Sequence, residues 1–95
     1  MDDATILEKV KLALRIVTTD FDDEIADLIN ACKSDLQAGG VIVSIIDEFV
    51  LQAIKTYCRA NFGNPSNYDR LKASYDEQKA QLGMRSGYTK WVTNG

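Results

Sequence analysis

The pattern of hydrophobic and polar positions predicts a helix at residues 44–63 that is apolar over more than half of its circumference. Such a helix must be covered from at least two sides, so we expect it at the centre of a small helical domain. Ser44 and Asp47 form a short capping box at its start, and Gly63 and Pro65 end it. The residues expected on its buried arc are Ile45, Ile46, Phe49, Val50, Ala53, Ile54, Tyr57 and Ala60.

A first helix is predicted at residues 5–15, where Thr5 and Glu8 match a capping box. Leu12 and Ile16 lie off its main apolar stripe. They either meet a neighbouring subunit or pack under the following turn, and we favour the turn. The stripe itself contains Leu7, Val10, Ala13, Leu14 and Val17.

A second helix is predicted at residues 21–38, with Thr19 or Asp20 as its cap and acidic residues in its first turn. Its apolar positions follow the three-and-four spacing of a helix that covers a core. The three β-branched residues at 41–43 then form either a buried connector or the edge of a small strand.

A fourth helix is predicted at residues 65–82, with Pro65 at its first position. Its apolar stripe is narrow, so it contacts one surface only and lies along the outside of the other helices or between subunits. The stripe contains Tyr68, Leu71, Tyr75, Gln78 and Leu82.

The last residues, 83–95, show no helical period but contain aromatic and apolar side chains between glycines. Aromatic anchors are typical of buried interface contacts, and termini fray unless something holds them. This arm either docks on a neighbouring protein or folds back on its own domain, and the sequence leaves both open. We therefore divide the chain into a helical domain at 1–82 and an arm at 83–95. The predicted protein–protein interface contains Tyr68, Tyr75, Tyr88, Trp91 and Val92.

The predicted fold is all-α, a small bundle of about four helices with an extended C-terminal arm. Eleven basic and fourteen acidic residues give a net charge of −3, which argues against a freestanding nucleic-acid binder. No stretch approaches the ~20 apolar residues of a membrane span. The absence of histidine, and the lack of CxxC spacing between Cys32 and Cys58, leave no metal, cofactor or catalytic residue to name, so we do not expect an enzyme.

Three stretches resemble the head-tail connector family of tailed phages and prophages, also called head-completion or DNA-packaging adaptor proteins. They are TTDFDDEIADLINACKSDLQAGGV, YCRANFGNPSNYDRLKASYDEQKAQL and GYTKW. Their order and spacing carry the resemblance, which covers residues 7–91.

The resemblance implies a structural protein that forms a ring of about twelve subunits. The ring would dock below the portal protein, extend the DNA channel and receive a stopper or tail-completion protein. Genomic DNA would pass through it without sequence-specific binding. The protein would be assembled in the bacterial cytoplasm and reside at the head–tail junction of the virion, with no membrane contact.

The alternative is a small helical DNA- or protein-binding regulator, with a helix-turn-helix built from the second and third helices. Lys55 and Arg59 are the only basic residues outside the core face of the third helix, too few for the roughly 6–10 phosphate contacts of a DNA-binding protein.

Overall fold

The computed structural model describes residues 1–85, 87 and 88, and these form a small all-α bundle of four helices, as predicted. The third helix, α3, contacts each of the other three, and its centre is buried on every side that they cover. It is therefore the centre of the domain. The four helices are α1 (Asp3–Leu14), α2 (Asp22–Ala38), α3 (Glu48–Asn61) and α4 (Tyr68–Met84).

Helix α3 begins at Glu48, and the predicted start at Ser44 is wrong. Asp47 is the N-cap, and its Oδ1 accepts hydrogen bonds at 3.0 Å from the backbone N–H groups of Phe49 and Val50. The residues just before it are not helical; Ile45 is 75% exposed, and Phe49, near the helix start, is 56% exposed. The buried arc is therefore narrower than predicted.

Helix α1 begins at Asp3, two residues before the predicted start. The cap is Asp2, whose Oδ1 accepts a hydrogen bond from the N–H of Thr5 at 2.8 Å, so the predicted Thr5 capping box does not form. The helix ends at Leu14, where Arg15 adopts a left-handed conformation. Because Val17 lies beyond that end, it is 92% exposed instead of buried.

The face of α1 that enters the core carries Ile6 and Val10, both fully buried. Ile6 is absent from the predicted stripe, although its position four residues before Val10 places it on the same face of the helix. Leu7 and Leu14 pack against the core from its edge.

Helices α2 and α4 keep their predicted apolar faces but start later than predicted. Helix α2 begins at Asp22, and Phe21 caps it without a side-chain hydrogen bond, so neither predicted cap is used. Helix α4 begins at Tyr68, three residues after Pro65. Gly63 takes a φ of +69°, which lets the chain turn sharply between α3 and α4.

Side-chain contacts fix the directions of the helices. In the α1–α2 pair, Lys11 forms an ion pair with Asp22 at 2.8 Å, and Asp3 pairs with Lys33 at 3.1 Å. These helices are therefore antiparallel. Helix α3 runs antiparallel to α2, because the ring of Phe62, just after α3, lies 5.5 Å from the ring of Phe21.

The domain thus has two ends along the axis of α3. We call the end where α3 starts and α4 stops the arm end, and it contains Asp47, Phe49, Arg85 and Tyr88. We call the end where α1 passes into α2 the hairpin end, and it contains Leu12, Ile16, Val17, Phe21 and Phe62. At 1.5 Å per residue, Phe49 and Phe62 are about 20 Å apart.

Candidate assembly surfaces

The first part of the arm folds back on its own domain. The hydroxyl of Tyr88 donates a hydrogen bond to Oδ2 of Asp47, and the carbonyl of Tyr88 accepts one from the N–H of Ile42 at 2.7 Å. The Tyr88 ring meets the Phe49 ring edge to face, with centroids 6.3 Å apart. As far as Tyr88, then, the arm docks within its own chain. The neighbouring connector residue Val41 is fully buried.

The carboxylate of Asp47 joins the arm to the start of α3. One oxygen caps the helix and the other accepts the Tyr88 hydroxyl. Burial alone would raise the pKa of Asp47, but the hydrogen bonds from Tyr88 and from two backbone N–H groups outweigh it and hold the pKa below its ordinary 3.8. The same bond raises the pKa of the Tyr88 hydroxyl. The contact is therefore a pair of an ionised acid and a neutral phenol at neutral pH.

A second polar cluster fastens α4 to α2. The hydroxyl of Tyr75 donates to Oδ2 of Asp35 at 2.6 Å, and Nζ of Lys79 donates to the same oxygen at 3.1 Å. The thiol of Cys32 donates to the Tyr75 oxygen at 3.8 Å. The Tyr75 hydrogen bond, followed by Lys79, lowers the pKa of Asp35. Each polar group here has a partner, so the cluster is a packing contact.

Burial determines the protonation state of the two cysteines and of Tyr75. Burial raises the pKa of Cys32 and of Cys58 to about 12, so both thiols are protonated and unreactive at neutral pH. Both are free. The pKa of Tyr75 is raised, first by burial and then by its bond to Asp35. None of these groups is poised to act as a nucleophile or a base.

The predicted interface residues lie in different surroundings. Tyr68 is 41% exposed at the start of α4, whereas Tyr75 is 5% exposed and turned into the bundle. Tyr88 is partly buried at the arm end. Trp91 and Val92 lie outside the described residues. The participation of these five residues in an interface stays a prediction, and the burial of Tyr75 leaves little of it for a partner.

An exposed apolar groove lies at the hairpin end. It has a volume of about 350 Å³ and is formed by Leu12, Ile16 and Val17, with Glu8 and Lys11 at its polar margins. Leu12 is 74% exposed. The sequence pattern places Leu12 and Ile16 off the helix stripe, and its prediction that Val17 is buried is wrong. Packing within the domain accounts for Ile16, which is partly buried against the core, but not for Leu12, which stays open.

Two properties of the described residues bear on the kind of site this chain offers. Among the described residues, no group of three or more acidic or cysteine side chains is arranged to hold a metal ion. Within the same part of the chain, no helix has the length and apolar character needed to cross a membrane.

Fold and surfaces together define a small helical module that presents apolar side chains at both ends of a tightly packed centre. The family model for phage connector proteins matches residues 6–89. The chain belongs to that family, which confirms the resemblance to head-tail connectors and gives the protein a structural role in a phage particle. Neither the curated proteins nor the solved structures include a significant match to the chain.

Proposed function

We propose that this chain is the head-tail connector, or adaptor, of a tailed phage or prophage. Copies of it form a ring below the portal protein, extend the DNA channel and receive a stopper or tail-completion protein. The observation that carries this proposal is the family match over residues 6–89. By analogy with the family, the ring contains about twelve copies.

The two unlike ends of the domain support assembly into a ring. A ring needs a heterologous contact, in which one patch of a subunit fits a different patch on the next. The arm end exposes Ile45 and Met84, and the hairpin end exposes Leu12 and Val17. These sets lie at opposite ends of α3, so one copy cannot bring them together. Head-to-tail association of copies can.

The charge of the chain supports a passive DNA channel. With a net charge of −3, the chain carries no excess of positive charge that would hold DNA through its phosphates. DNA can then pass the ring without being retained on its wall. We propose accordingly that the protein acts at the head–tail junction as a wall and a docking platform, and that it catalyses no reaction.

The particle itself provides the test. In the phage or prophage that carries this gene, a deletion should give heads that package DNA, then lose it, and remain without tails. Supplying the chain in trans should restore tailed particles, seen by electron microscopy and counted as plaque-forming units. Tailed, infectious particles in its absence would contradict the proposal.

No observation favours the regulator that the sequence left as the alternative. A recognition helix must enter the major groove, but α3 lies between the other helices and buries seven of its fourteen residues. The connection from α2 to α3 spans residues 39–47, longer than the 3–4 residues of a helix-turn-helix. We therefore propose only the connector function.

A further inference from the structure

The groove at the hairpin end has no cover from the described part of its own chain. Val17 is 92% exposed and Leu12 is 74% exposed, the largest exposures among the bulky apolar side chains of this end. Together with Ile16 they form an apolar floor of a size that suits an aromatic side chain. Leaving such a patch in water forgoes the free energy of its burial, which favours a segment that fills it.

The C-terminal arm carries the matching chemistry. Trp91 and Val92 are the apolar residues that follow Tyr88. Beyond Tyr88 the arm contains Lys90 and no acidic residue. Asp20, Asp23 and Glu24 lie near the start of α2, just beyond the groove, whereas Asp22 is already paired with Lys11. Glu8 at the margin of the groove provides an acceptor for an indole N–H, which normally finds a partner when buried.

The covalent length of the arm excludes the groove of the same copy. Tyr88 is held at the arm end by Asp47 and by the backbone of Ile42. Trp91 follows three residues later, so its Cα lies at most about 11 Å from that of Tyr88 in an extended chain, and the indole extends a few ångströms beyond it. The groove lies at the hairpin end, beside the start of α2, and the two ends of α3 are about 20 Å apart. Trp91 can therefore meet this groove only on another copy.

A nearer apolar surface at the arm end contains Ile45, Phe49 and Met84, and its aromatic ring is already engaged. The edge-to-face contact of Tyr88 uses one side of Phe49, and the guanidinium carbon of Arg85 lies 4.8 Å from the centroid of that ring. The hairpin-end groove has no such contact from the described residues.

We propose that Trp91 and Val92 of one copy occupy the groove formed by Leu12, Ile16 and Val17 of the next copy. Tyr88 is then the last arm residue held by its own domain, and the residues after it link subunits head to tail. This inference rests on the proposed connector function, because it names the contact through which the ring is built.

Trp91 is the one tryptophan of the chain, so its fluorescence reports on its own burial. We would record the emission of the full-length chain from micromolar to millimolar concentration and measure the mass at each concentration by sedimentation. The expected result is an emission maximum that moves to shorter wavelength in step with the rise in mass.

The groove variant is Leu12→Asp combined with Val17→Asp, and its control is Ile45→Asp, which changes an arm-end residue about as exposed as Leu12. Circular dichroism verifies that both variants fold. The groove variant should need at least tenfold higher concentration for the same shift, since loss of an aromatic anchor costs ~2 kcal/mol or more. The control should follow the wild-type curve.

Three results would overturn the inference. The emission could be shifted already at the lowest concentration and respond to Ile45→Asp, which would place Trp91 on its own arm end. The mass could rise while the emission maximum stays in place. Alternatively, neither the mass nor the emission maximum could change up to millimolar concentration. The particle test above judges the connector function separately, so a functional connector whose Trp91 stays exposed would remove this contact alone.

Discussion

The two ends of α3 differ in how far the chain completes them by itself. At the arm end, Asp47 caps the helix, Tyr88 binds Asp47, and Arg85 and Tyr88 both contact Phe49. At the hairpin end, the ring of Phe21 meets that of Phe62, but Leu12 and Val17 remain in water. Satisfied hydrogen bonds mark the first end as part of the folded monomer. Ile45 and Met84 are also exposed at the first end, but the groove at the second end has no such contact from the described residues, and we propose that a partner fills it.

The largest effect on stability is expected midway between the ends. Ile54 is fully buried at the centre of α3, and Ile54→Ala should lower the free energy of unfolding by ~2–5 kcal/mol. Because both ends pack on this helix, they should unfold in a single urea transition, followed by circular dichroism. The control is Lys55→Ala, at the next and partly exposed position, which should change the free energy of unfolding by less than ~0.5 kcal/mol. Separate transitions for the two ends would contradict this view of the bundle.

A smaller effect is expected at the arm end. Asp47→Ala removes the cap of α3 and the acceptor of Tyr88, and should cost ~1–2 kcal/mol in urea unfolding. Glu48→Ala, at the neighbouring exposed first position of the helix, is the matched control and should cost less. An equal loss of unfolding free energy in the two variants would show that the Asp47 contacts do not stabilise the fold.

Acid should weaken the arm end further. The folded-state pKa of Asp47 is lowered below 3.8, so its contribution is complete above that pH and is lost as the pH falls through the folded-state pKa. The contribution of Asp35 to stability is also lost as the pH falls, because its folded-state pKa is lowered too. Urea unfolding between pH 6 and pH 2 should show stability falling below about pH 4, with a shallower fall in Asp47→Asn. If stability fell equally steeply with pH in Asp47→Asn, Asp47 would be excluded as a source of the pH dependence.

The smallest effect on the monomer is expected at the hairpin end. Leu12→Ser and Val17→Ser change side chains that lie mostly in water, so the free energy of unfolding of the dilute chain should move by less than ~0.5 kcal/mol. Val10→Ser, on the buried face of the same helix, should be strongly destabilising by comparison. A loss above ~1 kcal/mol in the groove variants would show that the groove is covered within the monomer.

The sequence was sufficient to predict the four helices and the central place of α3, because the apolar circumference of residues 44–63 requires neighbours on several sides. It was insufficient to predict where α3 begins. Ser44 and Asp47 are both good caps, and the choice of Asp47 goes with the burial of Val41 and Ile46, between which the chain is not helical.

The surfaces were predictable only in part. The burial of Val17 was inferred from a helix that continues past Leu14, whereas the left-handed Arg15 ends the helix there. The position of Tyr88 depends on Asp47 and Ile42, more than forty residues earlier in the chain, so no local pattern indicates it. The off-stripe position of Leu12, by contrast, was visible in the sequence and marks the exposed groove.

The mass of the complex formed with a portal ring tests the central claim most directly. The purified full-length chain would be mixed with the portal protein of the same phage and measured by mass photometry. The account predicts portal rings that carry many copies of the chain, approaching about twelve at saturation. A portal ring of unchanged mass beside free monomers would contradict it.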